Sequence, residues 1–218
     1  MCGRYNIITD AEALVEFFEV AIFDLEDFQN NYNAAPTQLL PVVRQTDAGR
    51  ELCALRWGLV PFWAKDTKIG YKTINARSET LASKPAFRAA FKKRRCLVPA
   101  SGYFEWQQAN GKQPYNICLE DRGLFAFAGL WEQWEREKET LETFTIATTD
   151  ASEQVRQIHD RMPVIIPKTD YSTWLESDDP DALQALLKPH EIAGLMSYPV
   201  SKRVSNARNN DASVVDPA

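Results

Sequence analysis

The residues best equipped for chemistry open the chain, in Met1-Cys2-Gly3-Arg4. Once Met1 is removed, Cys2 carries an amine and a thiol on adjacent carbons. Their unperturbed pKa values are roughly 7.7–8.0 and about 8.5, so both have a nucleophilic fraction near neutrality. Toward an aldehyde the amine forms a Schiff base, and the thiol closes on the same carbon to give a thiazolidine, which resists hydrolysis better than an open imine. Toward an amide the thiol can attack with its own α-amine as base, as N-terminal-nucleophile hydrolases do. A small residue buried behind an initiator methionine would read the same way. Gly3 tips the balance toward a site, because backbone without a Cβ turns tightly and admits a substrate.

Three other stretches carry usable groups. In Ile74-Asn75-Ala76-Arg77-Ser78-Glu79, Asn75 both donates and accepts and Arg77 can fork onto a phosphate, although a helix cap beside a surface charge would use the same residues. Glu105 alternates to the face opposite Phe104 and Trp106, so it is either solvated or aimed into a polar pocket. Desolvation would raise its pKa and make it an acid or base at neutral pH. His159-Asp160-Arg161-Met162-Pro163 packs a proton shuttle, a carboxylate and a guanidinium into one turn, whereas His190 has no such company.

The stretch Trp57-Gly58-Leu59-Val60-Pro61-Phe62-Trp63 is broken by Gly and Pro, so its rings either plug a core or stay outside for stacking. Lys65, Lys68 and Lys72 follow, and cations interleaved with exposed rings are how proteins hold single-stranded nucleic acid. Two further basic clusters, Lys84 to Arg95 and Lys202, Arg203 and Arg208, fit solvated faces equally well, and Glu132 to Glu142 is largely acidic. The net charge of −5 confines any nucleic-acid surface to a local patch.

These groups need elements to position them. Thr9-Asp10-Ala11-Glu12 reads as a capping box before a helix through Leu14, Phe17, Phe18 and Ala21. Leu39–Arg44 and Leu52–Trp57 read as strands around an Asp47-Ala48-Gly49 turn, and a helical pattern runs through Phe87, Ala90 and Phe91. Cys96–Pro99 and Gly102–Trp106 are strand-like, and an Asn110-Gly111 turn returns the chain through Pro114–Leu119 as a hairpin. Leu124–Leu130, Thr143–Thr149 and Val164–Ile166 supply strands. Asp150–Gln157, Tyr171–Leu175 and Asp179–Leu187 read as helices, the last with Asp179 as cap and Pro180 in the first turn.

At 218 residues and 44% hydrophobic content the chain can bury a substantial core. It has no apolar run long enough to span a bilayer and no signal-peptide pattern, so a cytoplasmic protein with no membrane partner is expected. Cys2, Cys53, Cys96 and Cys118 form no C-x-x-C pair, and with two histidines neither a structural zinc site nor disulfides are expected. No cofactor or metal is called for.

Taken together, Met1-Cys2-Gly3-Arg4, Tyr32-Asn33-Ala34-Ala35-Pro36, Trp57-Gly58 with Pro61 and Trp63, Asn75 to Glu79, Gly102 with Phe104-Glu105-Trp106, and His159 to Pro163 resemble the SOS response-associated peptidase (SRAP) family. The match runs from Cys2 into Pro199-Val200-Ser201 and Asn206, nearly the whole chain. No single motif is specific; their joint order is. The resemblance implies a protein that binds abasic sites in single-stranded DNA and crosslinks to them through Cys2, shielding the lesion during the DNA damage response and joining the nucleoid when DNA is damaged. It implies Cys2 as nucleophile, Asn75 orienting it and the sugar, Glu105 and His159 managing protons, and Asn33 lining the pocket. Arg77 and Arg161 would hold flanking phosphates with Arg4 nearby, and Phe62 and Trp63 would cover the neighbouring bases. Ala64 follows Trp63 where some members carry two adjacent tryptophans. The fold expected is α+β: a single domain, residues 1–218, monomeric, with mainly antiparallel, barrel-like sheets holding the motifs in one cleft and helices outside.

Lyase activity by β-elimination is compatible with the same Schiff base, and the family's name records a proposed thiol autopeptidase. Here only Met1 precedes Cys2, and a methionine aminopeptidase removes Met before so small a residue, so self-processing is unnecessary. The start also resembles N-terminal-nucleophile glutamine amidotransferases, but there is no partner synthase domain and the aromatic-basic loop has no task in glutamine hydrolysis. A non-catalytic single-strand binder is a third reading, in which Cys2→Ala would leave all function intact.

Overall fold

The computed structural model describes residues 2–25, 27–137 and 139–218; the expected loss of Met1 concerns a residue outside these. The architecture is α+β. In chain order the elements are β1 (Tyr5–Ile7), α1 (Ala11–Phe18), β2 (Ile22–Asp24), β3 (Asn31–Ala34), β4 (Leu39–Thr46), β5 (Gly49–Trp57), β6 (Asn75–Arg77), α2 (Arg88–Lys93), β7 (Arg95–Ala100), β8 (Gly102–Gln107), α3 (Ala109–Lys112) and β9 (Gln113–Leu119). They continue with β10 (Phe125–Arg136), β11 (Glu139–Asp150), β12 (Arg161–Pro163), β13 (Ile165–Ile166), α4 (Tyr171–Glu176), α5 (Pro180–Leu186) and β14 (Leu195–Pro199).

One sheet is antiparallel throughout, in the order β14-β9-β8-β1-β3. The larger sheet runs β12-β11-β10-β7-β4-β5-β2, with β6 and β13 attached to β11 and β10. It curls until β11 meets β5 in parallel through Thr143↔Arg56 and Phe144↔Trp57, which closes β5, β4, β7, β10 and β11 into a ring. The barrel-like expectation is met, and closure pairs β5 and β11 on both sides, leaving only the short strands β2 and β12 at the ends of the order.

The central strands are buried on both faces. On β10, Phe125 and Phe127 join the inner core with Tyr5, Trp57 and Phe144, while Ala126, Ala128 and Leu130 face an outer layer with Leu14, Phe18, Phe91 and Trp174 from the helices. On β7, Cys96 and Val98 point inward and Leu97 outward. Burial on both faces is why these strands read as near-continuous apolar runs. Trp174 donates its Nε1 proton to Cys96 O at 2.8 Å and so pins α4 onto β7.

Arg95 is the least expected core member. It is 5% exposed and donates to the carbonyls of Phe91 and Lys92 in α2, and of Trp174, Leu175 and Ser177 in and after α4. One guanidinium thus satisfies carbonyls that two helix C-termini leave without intrahelical partners. The reading of Lys84 to Arg95 as a solvated face fails at this residue, because the α2-to-β7 turn points it inward.

Other local expectations shift in detail. The α1 cap is Asp10, whose Oδ1 accepts from Ala13 N at 2.7 Å, one residue beyond the anticipated Thr9, and the helix stops at Glu19 in the left-handed region instead of reaching Ala21. The β8–β9 hairpin is joined by the short helical turn α3. The β10–β11 hairpin extends through the acidic stretch, pairing Glu132↔Thr143 to Arg136↔Glu139. Asp150–Gln157 is a series of turns and not a helix. Ala151 N bonds Asp160 O, and Ser152 N reaches the Met162 sulfur, so the segment closes on itself between β11 and β12. Among the described residues no helix is long and apolar enough to cross a membrane.

Candidate functional site at Cys2

Cys2 lies just before β1, where the two sheets meet. It is wholly buried in the inner core, and its carbonyl accepts a 2.7 Å hydrogen bond from Asn75 Nδ2. Asn75 is itself placed by its predecessor. Ile74 O accepts from Trp57 Nε1 at 2.8 Å and from Ile146 N at 3.2 Å, so a core tryptophan and a barrel strand hold the start of β6 against β11, with Ile146 opposite Asn75. Asn75 Oδ1 is buried without a hydrogen-bond partner among the described residues.

Gly58, which follows that tryptophan, has φ of +122°, and a Cβ there would stand 2.6 Å from Gly70 O. Only glycine accepts both the conformation and the approach. The chain can therefore turn from β5 into the loop that leads to β6.

Glu105 comes from β8, paired to β1 through Tyr5↔Tyr103, and shares its face with Tyr103. It is 3% exposed, so of the two possibilities read from sequence, the structure takes the buried pocket. Burial raises its pKa, and the charge of His159 holds it back. Burial, reinforced by the charge of Glu105, pushes the Cys2 thiol far above its ordinary range. A thiol so placed stays protonated at neutral pH. At His159, Nδ1 accepts from Arg161 N at 2.9 Å, which puts the neutral ring's proton on Nε2. Asp160 Oδ1 lies 2.8 Å from the same Nδ1 and would receive its proton in the charged form. Residues distant in sequence are thus linked: the Asn75 amide meets the Cys2 backbone, and the Glu105 carboxyl lies within electrostatic reach of both the Cys2 thiol and His159.

The other expected residues divide. Arg77 shares the Asn75 face of β6 and is exposed, while Ala76 between them is buried in the outer core. Arg161 instead has its guanidinium engaged by Glu79, Asp150 Oδ1 (2.7 Å) and Thr148 O (2.7 Å), with its side chain 13% exposed. Arg4 Nη1 donates to Asn33 Oδ1 and Val204 O, both at 3.0 Å. Asn33 is fully buried and spends its Nδ2 on the carbonyls of Val204, Asn206 and Asn209. These two residues secure the C-terminal tail, a task the sequence motifs do not reveal.

The rings of the aromatic loop divide between burial and exposure. Trp57 plugs the core at 0% exposure, whereas Phe62 and Trp63 stand 56% and 49% exposed. Trp63 Nε1 donates to Pro85 O at 3.3 Å, which fixes its ring at the surface. Trp106, beside Glu105, donates to Ser205 Oγ at 3.1 Å, a link to the tail that sequence reading missed.

A family model described as SOS response associated peptidase (SRAP) matches residues 1–207. Abasic site processing protein YoqW of Bacillus subtilis is 41% identical over 222 residues, covering 99% of each chain. Abasic site processing protein HMCES of Xenopus tropicalis is 36% identical, covering 86% of this chain and 66% of that protein. A crystal structure of a Bacteroides thetaiotaomicron protein superimposes with a TM-score of 0.91 at 29% identity, covering all of both chains.

Proposed function

The chain belongs to the SOS response associated peptidase (SRAP) family, and on that premise we propose that it processes abasic sites in DNA, capturing the lesion in single strands as a covalent thiazolidine on Cys2. The observation that carries this reading is the Asn75 amide on the Cys2 carbonyl, with a buried carboxyl beside the thiol. Relatives named for abasic site processing, at 41% and 36% identity, point to the same substrate.

The chemistry follows from the protonation states. An abasic deoxyribose opens when its C1 hydroxyl loses a proton and the ring oxygen gains one, leaving an aldehyde. With the Cys2 thiol held neutral, the α-amine exposed by loss of Met1 attacks first. The carbinolamine hydroxyl then takes a proton from the Glu105 carboxyl and leaves as water, giving an iminium whose N–H proton passes to His159 and leaves the imine. The S–H adds across C=N, sulfur to carbon and proton to nitrogen, so one C–N and one C–S bond form and one water is released. His159, coupled to Glu105, returns the proton, and Asn75 keeps the amine and thiol on the aldehyde. Lyase cleavage needs the open imine, which ring closure removes, so it is a minor branch. Phe62 and Trp63 would stack on bases beside the lesion, and Arg77 would hold a phosphate. Arg161 would reach DNA only by exchanging its carboxylate partners, so its primary task is to set the His159 turn.

The test mixes protein of verified N-terminus, by intact mass, with single-stranded DNA bearing one abasic site. A band shift on a denaturing gel without borohydride, mapped to Cys2 by mass spectrometry and absent in Cys2→Ala, is expected. An adduct formed equally by Cys2→Ala, or mapped to a lysine, would overturn the mechanism.

A further inference from the structure

The third basic cluster, Lys202, Arg203 and Arg208, has no part in the chemistry above, yet its backbone is tied to the strands that build the site. Arg4, two residues after Cys2, holds the carbonyls of Val204 and Ser205. Asn33 holds Val204, Asn206 and Asn209, Asn210 Oδ1 accepts from Tyr32 N at 2.7 Å, and Trp106 next to Glu105 holds Ser205. Val204 anchors the turn from below at 0% exposure. A tail needed only for solubility has no use for a buried asparagine and a half-buried arginine spent on its carbonyls. Arg203 pairs with Asp211 at 3.0 Å, while Lys202 and Arg208 are exposed, their side chains without hydrogen bonds or ion pairs among the described residues.

The placement is two-sided. Asn75 reaches the Cys2 carbonyl from β6 on the barrel, with Arg77 two residues further along the same strand face, and the tail is held by Arg4 just before β1 and by Asn33 and Trp106 on the five-stranded sheet. We propose that Lys202 and Arg208 form a second phosphate-binding rim, gripping the DNA backbone on the flank of the abasic site opposite to the one held by Arg77. The inference rests on capture at Cys2 and adds a directional path for the strand. Rigid anchoring matters here, because a cation fixed near the site loses little ordering entropy when a phosphate arrives.

The experiment measures non-covalent binding to single-stranded DNA carrying a tetrahydrofuran abasic analogue, which has no aldehyde and cannot crosslink. Lys202→Glu and Arg208→Glu should each lower the slope of log K against log salt by roughly 0.7, the value for one lost phosphate contact on a single strand. Lys188→Glu, on an exposed site after α5, makes the same change in net charge and should bind as the parent does. The flanks are then trimmed one at a time. The defect of both tail variants should vanish when one flank is removed and persist when the other is, and Arg77→Ala should show the reverse dependence. Parent-like slopes for both tail variants, or equal sensitivity to either flank, would overturn the proposal. Crosslinking of a short oligonucleotide with a true abasic site is scored in parallel. If the tail variants retain it, capture at Cys2 stands whatever becomes of the rim, and if the parent itself fails, the underlying reading falls instead.

Discussion

Asn75→Ala separates a positioning role from a structural one, because the structure predicts opposite sizes for the two effects. The substitution removes the 2.7 Å bond from Nδ2 to Cys2 O, a loss of about 1 kcal/mol for a typical intramolecular hydrogen bond. It also removes Oδ1, a buried acceptor with no partner among the described residues, whose relief returns about 1 kcal/mol or more. The two nearly cancel, so the melting temperature should move by less than about 4 °C at roughly 2–4 °C per kcal/mol for a chain of this size. The reaction has no such compensation. Cys2 precedes β1, and loss of the clamp on its carbonyl lets the amine and thiol wander from the aldehyde, a misplacement costing about 10²-fold in rate, or ~2.7 kcal/mol of barrier. The assay is single-turnover adduct formation on a denaturing gel, beside a thermal melt of the same preparation. A rate within about threefold of the parent would refute the positioning argument. So would a melting temperature so far depressed that unfolding accounts for the lost rate.

Cys2→Ser keeps the amine but replaces the thiol by a far weaker nucleophile, so it should form an adduct only with borohydride and should cleave the abasic strand more than the parent, as read by denaturing electrophoresis of the DNA. Glu105 carries a pH signature in stability: burial raises its pKa, so the folded chain keeps that proton to higher pH than the unfolded chain does. The stability linked to this group is complete at pH below the ordinary carboxylate range and is lost as pH rises through the folded value. Glu105→Gln should therefore melt above the parent at pH 8 and level with it near pH 4, in a pH series of melts, while crosslinking at pH 7 falls by about 10²-fold. Arg95→Met strips the carbonyls at the ends of α2 and α4 of their donors. About 3 kcal/mol or more should be lost, a drop of roughly 6–12 °C in melting temperature, with crosslinking at 25 °C unchanged.

What the sequence by itself determined was chemistry that resides in single residues and in local spacing. Cys2 is an aminothiol wherever it is put once Met1 is gone, Asp179-Pro180 starts a helix by local rules, and the apolar runs of β7 and β10 read as strands. The joint order of the motifs likewise pointed to the family before any coordinate did. What the tertiary structure decided was every property that depends on a neighbour remote in sequence. Whether Glu105 is solvated or buried could not follow from alternation alone, because alternation chooses a face and not what covers it; the junction of β8, β1 and Cys2 made it buried. The same holds for arginines, whose long side chains find partners the backbone brings to them. Arg95 and Arg4 turn out to secure carbonyls 79 and 200 residues away, Arg161 meets Glu79 from 82 residues off, and Arg77 is left at the surface. A guanidinium's charge is written in the sequence, but whether it meets phosphate, carboxylate or carbonyl depends on which strands the closing barrel sets beside it.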